Sequence, residues 1–326
     1  MNLNFSVVNE SKNLLAFSAG IDSTALYFLL LEKNIDFDIA IVNYNTRKES
    51  KNELRYAKDL AKKYNKKIFF KEVELESKSN FEKTARDIRY AFFEEIIQKH
   101  SYDILITAHQ LNDKLEWFLM QLSKGAGLIE LIGFNKIEKH NTYDIYKPLL
   151  EISKDELKNY LDTNNTKYFI DSSNYEEKYK RNYFRHNFSD KFLNEYKDGI
   201  KNSFDYLQKD INSLKFKSDS LLKIQELEIF RNLQDENLNI RLIDLSLKKR
   251  GLLLSKAQRE EILKQKKITI SDKIVISIEN DYIWICPKSL EVMDKKFKEK
   301  CRVLKIPINI RAYIKEKKIE FKELML

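Results

Sequence analysis

The sequence predicts an α/β protein: a parallel sheet of about five strands with helices on both faces, then a helical linker and a smaller α+β unit. Three features predict it. Between Leu14 and Thr107 short apolar runs alternate with stretches of helical period, the pattern of strands joined by crossover helices. Glycine and proline are scarce, at 6 and 3 residues, so the few present mark real turns, and Gly20, Gly125 and Gly127 all fall in the first half. After about Asn187 the chain becomes long-helical and charged.

The strands expected in the first half are residues 14–17, 37–43, 67–73 and 103–107, each a short apolar run bounded by polar residues. Helix starts are signalled by Ser50 with Glu53 and by Ser153 with Glu156, both of the capping-box form in which a hydroxyl and a carboxylate three residues on satisfy each other's backbone N–H groups. Residues 188–222 read as one or two extended helices, which divides the chain into residues 1–188, a linker at 189–222 and a last unit at 223–326. That unit combines a helix at 256–264 with a β-rich run at 268–286 and ends in a Lys-rich tail. No internal repeat is visible.

Composition bounds the function. With 43% apolar and 33% charged residues in 326, the chain can bury two cores under an ionised surface, and its formal charge of +9 favours a polyanionic partner. No apolar run is long enough for a bilayer, and the first twelve residues lack a secretory pattern, so a cytoplasmic protein without membrane partners, monomeric or homodimeric, is expected. Cys286 and Cys301 are the only cysteines, too few for a disulfide framework, a four-cysteine zinc site or an iron–sulfur cluster.

The first strand runs into Ser18-Ala19-Gly20-Ile21-Asp22-Ser23 and then into a helical pattern. A loop so placed turns backbone N–H groups and the positive helix end toward an anion. Ser18 and Ser23 add hydroxyls, Gly20 admits a close backbone approach, and Asp22 suits a phosphate-bound Mg2+. It is no Walker loop, since no Gly-Lys-Ser/Thr follows, and it lacks the three-glycine dinucleotide spacing. It resembles the Ser-Gly-Gly-x-Asp-Ser loop of the PP-loop ATP pyrophosphatases, with Ala19 in place of the first glycine.

Further segments narrow the resemblance. Val42-Asn43-Tyr44-Asn45-Thr46-Arg47 is similar to a His-Val-Asn-His-Gly-Leu-Arg run with Tyr44 for the second His, and Glu82–Tyr90 to Glu-x-x-Ala-Arg-x-x-Arg-Tyr, placing Arg86 and Arg89 on one helix face. Thr107–Glu116 resembles Thr-Ala-His-His-x-Asp-Asp-Gln-x-Glu, with Asn112 for the first Asp and Trp117 for the Thr that follows. Leu122–Leu128, Lys147-Pro148-Leu149-Leu150, Asp171-Ser172-Ser173-Asn174 and Arg181-Asn182-Tyr183-Phe184-Arg185-His186 complete a co-linear set that resembles the tRNA(Ile)-lysidine synthetases over residues 13–188.

That resemblance implies ATP and Mg2+ as cofactors, L-lysine and an isoleucine tRNA with a CAU anticodon as partners, and an α/β fold of the adenine nucleotide alpha hydrolase type. It implies that ATP adenylates the 2-keto oxygen of the wobble cytidine, releasing pyrophosphate, and that the ε-amine of lysine then displaces AMP. By position, residues Ser18 to Ser23 would cradle phosphate, Asp22 would meet the metal, and Arg86 and His109 would place ATP or the adenylate. Asp113 and Glu116 would bind lysine, and Arg181, Asn182, Arg185 and His186 would bind tRNA. Lys295, Lys296, Lys298, Lys300, Arg302 and Lys305 offer further phosphate contacts, or simply a solvated face. Two rivals share the motifs: a thiolase of the same class, which needs a reactive cysteine, and an RNA-binding relative that no longer cleaves ATP.

Overall fold

The alternation of apolar residues along each early strand decides the architecture. In the computed structural model, which describes residues 3, 5–45, 50–74, 81–140, 142–170, 180–213 and 220–324, successive residues of the strands turn to opposite faces. Leu15, Ile39, Ile41, Ile104 and Ile106 enter one core with Leu26, Leu30, Leu60 and Leu157, while Leu14, Ala40, Leu105 and Ile145 enter another with Phe93, Ile96 and Ile97. Both faces of the sheet are therefore covered, as a parallel sheet requires.

The elements run β1 (Asn13–Ala16), α1 (Ile21–Glu32), β2 (Asp38–Asn43), α2 (Ser50–Lys63), β3 (Ile68–Glu72), α3 (Phe81–His100), β4 (Ile104–Ile106), α4 (Leu111–Leu122), α5 (Leu128–Ile132), β5 (Ile137–Lys139), β6 (Asp144–Tyr146) and α6 (Lys154–Thr163). The sheet order is β3-β2-β1-β4-β6-β5. Five strands are parallel and β5 pairs antiparallel at the edge. The expected strands lie within a residue or two of β1 to β4. Ser153 and Glu156 form the expected capping box, with the Ser153 N–H donating to the Glu156 carboxylate at 2.9 Å.

Two helices follow, α7 (Lys180–Phe184) and α8 (Asp190–Ser213), joined by one π turn, Arg185–Ser189, with α8 kinked at Tyr196. The chain divides into two compact units, residues 1–212 and 213–326. The stretch read as a linker thus belongs mostly to the first unit. The reason is apolar burial: Leu193 and Phe204 of α8 pack with Leu111, Leu115 and Ile132.

The second unit holds β7 (Leu222–Ile224), β8 (Leu227–Arg231), α9 (Glu236–Lys249), α10 (Lys256–Gln265), β9 (Lys267–Ile270), β10 (Ile274–Ile278), β11 (Tyr282–Pro287), α11 (Lys295–Val303) and α12 (Arg311–Glu316). Its five strands are antiparallel in the order β7-β8-β11-β10-β9. Ile276, Ile283 and Ile285 face a core with α9 and α10, and Val275, Trp284 and Cys286 face one with α11 and α12. Among the described residues no helix is long and apolar enough to cross a membrane.

Candidate functional site

The site gathers at the carboxyl ends of the parallel strands, where loops after β1, β4 and β6 open on one edge. The loop after β1 is built around two hydroxyls. Ser23 Oγ accepts from the Ser18 backbone N–H at 3.1 Å, lies 3.1 Å from Ser18 Oγ and donates to the Gly20 carbonyl at 3.3 Å. Gly20 caps α1 with extended backbone (φ −75°) and no side-chain cap bond. The demanding position is its neighbour: Ala19 is buried at φ +61°, a conformation glycine takes readily and alanine at a cost. At this point the loop pairs with residues 167–169. Phe169 N–H donates to the Ala19 carbonyl at 2.9 Å, and Phe169 packs on Tyr56, whose hydroxyl donates to the Lys167 carbonyl at 2.6 Å. Nothing in the Ser18–Ser23 motif points to this strap.

Asp22 lies in the first turn of α1. Its Oδ1 is buried without a hydrogen-bond partner, and the carboxyl is pushed up to about 7 by burial first and then by the Asp113 charge. Such a group suits a cation. Among the described residues no three His, Cys, Asp or Glu side chains cluster as metal ligands, so a Mg2+ held here would take one protein carboxylate and fill its shell with phosphate and water oxygens.

After β4, the helix α4 starts with a reciprocal cap. Gln110 accepts from Asn112 N–H at 2.5 Å, and Asp113 Oδ2 accepts from Gln110 N–H at 3.2 Å. Asp113 and Glu116 share one face, as their spacing predicts, and both are buried, Glu116 fully. Arg181 and Arg185, four apart, meet them. Arg181 donates to Asp113 at 2.5 Å and to Glu116 at 2.8 Å, while Arg185 donates to Glu116 at 2.6 Å and 3.2 Å. Burial pushes the Asp113 carboxyl up, but the Arg181 guanidinium, with that of Arg185, outweighs it and holds it below the usual range. Glu116 goes the other way, raised by burial and by Asp113.

The expected lysine-binding and tRNA-binding residues are thus brought together as one lattice of charge. Asn182 beside them is buried and His186 half-buried. Departures from the resembled pattern have local uses. Asn112 donates to Asp190 at 2.8 Å and accepts from Lys154 N–H at 3.0 Å, a double role that an ionised aspartate cannot fill, and Tyr44 donates to the Ala85 carbonyl at 2.6 Å.

Arg86 and His109 line a second part of the site, a cavity of about 140 Å³ shared with Trp117, Gly133, Phe134, Glu138 and Lys147. Arg86 lies over the Tyr90 ring at 4.5 Å. The His109 ring, 2.9 Å from Thr107 Oγ1, is held neutral: burial pushes it down to about 4 despite the opposing Asp113 charge. Trp117 and Phe134 meet edge to face at 5.9 Å. Phe134 and Glu138 escape sequence reasoning because β5 and β6 are three-residue strands, and Lys147, legible only as the first residue of the Lys147-Pro148-Leu149-Leu150 run, carries no expected role in the site. Thr46, Arg47 and residues 171–179, with the Asp171-Ser172-Ser173-Asn174 motif, lie outside the described residues.

Comparison with known proteins accords with this arrangement. A family model described as the PP-loop domain matches residues 2–192. The chain is 46% identical to the tRNA(Ile)-lysidine synthase of Campylobacter jejuni (strain RM1221), covering 98% of this chain and 97% of that one. It is 42% identical to the tRNA(Ile)-lysidine synthase of Helicobacter pylori (strain ATCC 700392 / 26695), covering 94% and 90%. In fold, the U34-tRNA thiolase NcsA from Methanococcus maripaludis superposes with a TM-score of 0.53 at 18% identity, over 63% of this chain and 74% of that one.

Proposed function

The chain belongs to the PP-loop family and, within it, to the tRNA(Ile)-lysidine synthases, and from that premise we propose how its own residues carry the reaction. ATP adenylates the C2 oxygen of the wobble cytidine in a CAU anticodon. Lysine then replaces AMP. In the first step the oxygen forms a bond to the α-phosphorus and pyrophosphate leaves with the electron pair. In the second the ε-amine bonds to C2, the C2–O bond breaks, and the amine gives up a proton.

The loop of Ser18 to Ser23 holds the polyphosphate through backbone N–H groups and hydroxyls, and the strap at Phe169 keeps its shape. Mg2+, when bound at Asp22, supplies charge neutralisation to the phosphates. Asp22 fits it through its buried, unpartnered oxygen.

Lysine carries two ammonium groups and a carboxylate. The lattice of Asp113, Glu116, Arg181 and Arg185 offers both signs within one hydrogen-bonded patch, so the ammonium group takes the acidic pair and the arginines stay close enough to meet a carboxylate. Arg181, 40% exposed at its side chain, is the partner free to shift, and Arg185, at 12%, stays. The neutral His109 and the aromatic pair Trp117 and Phe134 give the target base a face to stack on and a ring nitrogen to hydrogen-bond. The exposed basic residues of α11, Lys295, Lys296, Lys298, Lys300 and Arg302, with Lys305 beyond it, add phosphate contacts to the rest of the RNA.

One observation carries this reading: β1 and β4 are adjacent parallel strands, so the phosphate loop after one and the Asp113–Glu116 pair after the other share an edge of the sheet. The experiment is transfer of isotope-labelled lysine to an isoleucine tRNA transcript in the presence of magnesium and ATP. Label is expected at one residue per transcript. Folded enzyme that leaves the RNA unlabelled would reject the reading. A sulfur-transfer reading has no support here, since Cys286 and Cys301 are both buried in the second unit and burial pushes the Cys286 thiol up to about 12.

A further inference from the structure

Lys147 stands directly after β6 with 3% of its surface exposed, and its ammonium forms an ion pair with Glu138 of β5. Its backbone is fixed on both sides. Lys147 N–H donates to the Lys136 carbonyl at 2.8 Å, and Thr107 N–H donates to the Tyr146 carbonyl at 2.9 Å. A lysine held this deep gives up hydration and side-chain freedom, which a pair with one half-exposed glutamate does little to offset. Its placement calls for another partner.

The surroundings say what kind. Lys147 and Glu138 line the cavity that holds Arg86 and His109, and the ammonium lies 5.4 Å from the Phe134 ring centre. Two cations face one carboxylate there, beside an imidazole that burial keeps neutral, while the nearby Asp113 is engaged by Arg181. The cavity therefore carries a surplus of positive charge, which favours an anionic group beside the target base. Its volume of about 140 Å³ is well below the roughly 300–1,000 Å³ of a pocket for a whole drug-sized ligand, so it takes only the reacting part of a larger substrate.

Position narrows the anion further. The strand order places β4 between β1 and β6, so the loop of Ser18 to Ser23, His109 and Lys147 follow one another along one edge. With strands about 4.8 Å apart, the root of Lys147 lies roughly 10 Å from the phosphate loop, a span that a lysine side chain and a phosphoanhydride together bridge.

We propose that Lys147, anchored by Glu138, is a further catalytic residue of the reaction, its ammonium donating to the α-phosphate of ATP and then to that of the adenylated base. The proposal rests on the adenylation reading above. Lys147 neither gains nor loses a proton in either step. It neutralises the charge that gathers on the α-phosphate while the bond to the base oxygen forms and pyrophosphate leaves, and again while AMP departs.

The test compares wild type, Lys147→Met, Lys147→Arg and Glu138→Gln for RNA-dependent pyrophosphate release at saturating magnesium ATP, with nucleotide affinity read by calorimetry. Lys147→Met is expected to slow release by about 10²- to 10³-fold with nucleotide affinity changed less than about threefold. Lys147→Arg should keep within about tenfold of wild type, and Glu138→Gln should lose about tenfold through an unanchored ammonium. Turnover of Lys147→Met within about threefold of wild type would overturn the proposal and leave the reading intact. Should Lys147→Met fail to fold, the other two decide: Glu138→Gln at wild-type rate, or Lys147→Arg as slow as a dead enzyme, would overturn it. Wild type that releases no pyrophosphate would remove the reading and the proposal together.

Discussion

At the scale of single residues, two positions show how packing and electrostatics fix the cavity beside His109. Gly133 sits at φ +53°, and a Cβ there would lie 1.9 Å from Trp117 Nε1, which donates to the Glu130 carbonyl at 2.9 Å. Gly133→Ala is therefore expected to cost about 1–3 kcal/mol and to shift Trp117 emission. An unchanged denaturation midpoint would show that the indole is free to move. His109 makes a separate prediction with a defined sign. Burial pushes it from 6.5 to about 4, so below 6.5 the unfolded chain takes up a proton that the folded one refuses. Stability contributed by the neutral ring is present above 6.5 and falls as pH drops toward about 4. His109→Gln should flatten that part of a stability–pH curve measured by urea unfolding, and an unaltered slope would assign the acid sensitivity elsewhere.

At the scale of elements, the decisive contact is α7 and the π turn after it against α4, and it joins residues 65 to 69 apart in sequence. Removing Arg185 leaves the buried Glu116 with Arg181 as its remaining cationic partner. Arg185→Ala should cost about 3 kcal/mol, since the Glu116 side chain is only 1% exposed. Glu116→Gln with Arg185→Ala should cost less than the sum of the two, by denaturant titration, and strict additivity would contradict the coupling. This contact marks where sequence reading stopped. The strands β1 to β4 and the loop after β1 were legible because apolar runs, a turn residue and a helix start stood side by side. Asp113 and Glu116 were legible as neighbours because three residues bring them to one helix face. Their meeting with Arg181 and Arg185 was not, because side-chain pairing between helices leaves no local trace. The edge strand β5 was hidden too, its three residues alternating exposed, half-buried and exposed with no apolar run.

At the scale of the whole molecule, one parallel sheet organises the chemistry by placing three loops on its carboxyl edge, and a separate antiparallel unit of residues 213–326 carries much of the exposed basic surface. The change in sequence character after about Asn187 marked α8 as a linker, whereas its apolar residues pack within the first unit, because a charged helix with two buried apolar residues looks much like a solvated one. On the function proposed above, this edge splits ATP between its α and β phosphates in order to adenylate RNA. The most direct measurement is product analysis with radiolabelled ATP and the cognate transcript, with lysine withheld. A burst of pyrophosphate close to one per active site is expected, with the α-phosphate label retained on RNA until lysine is added and AMP appears. Release of ADP and orthophosphate, or no label on RNA at any time, would contradict it.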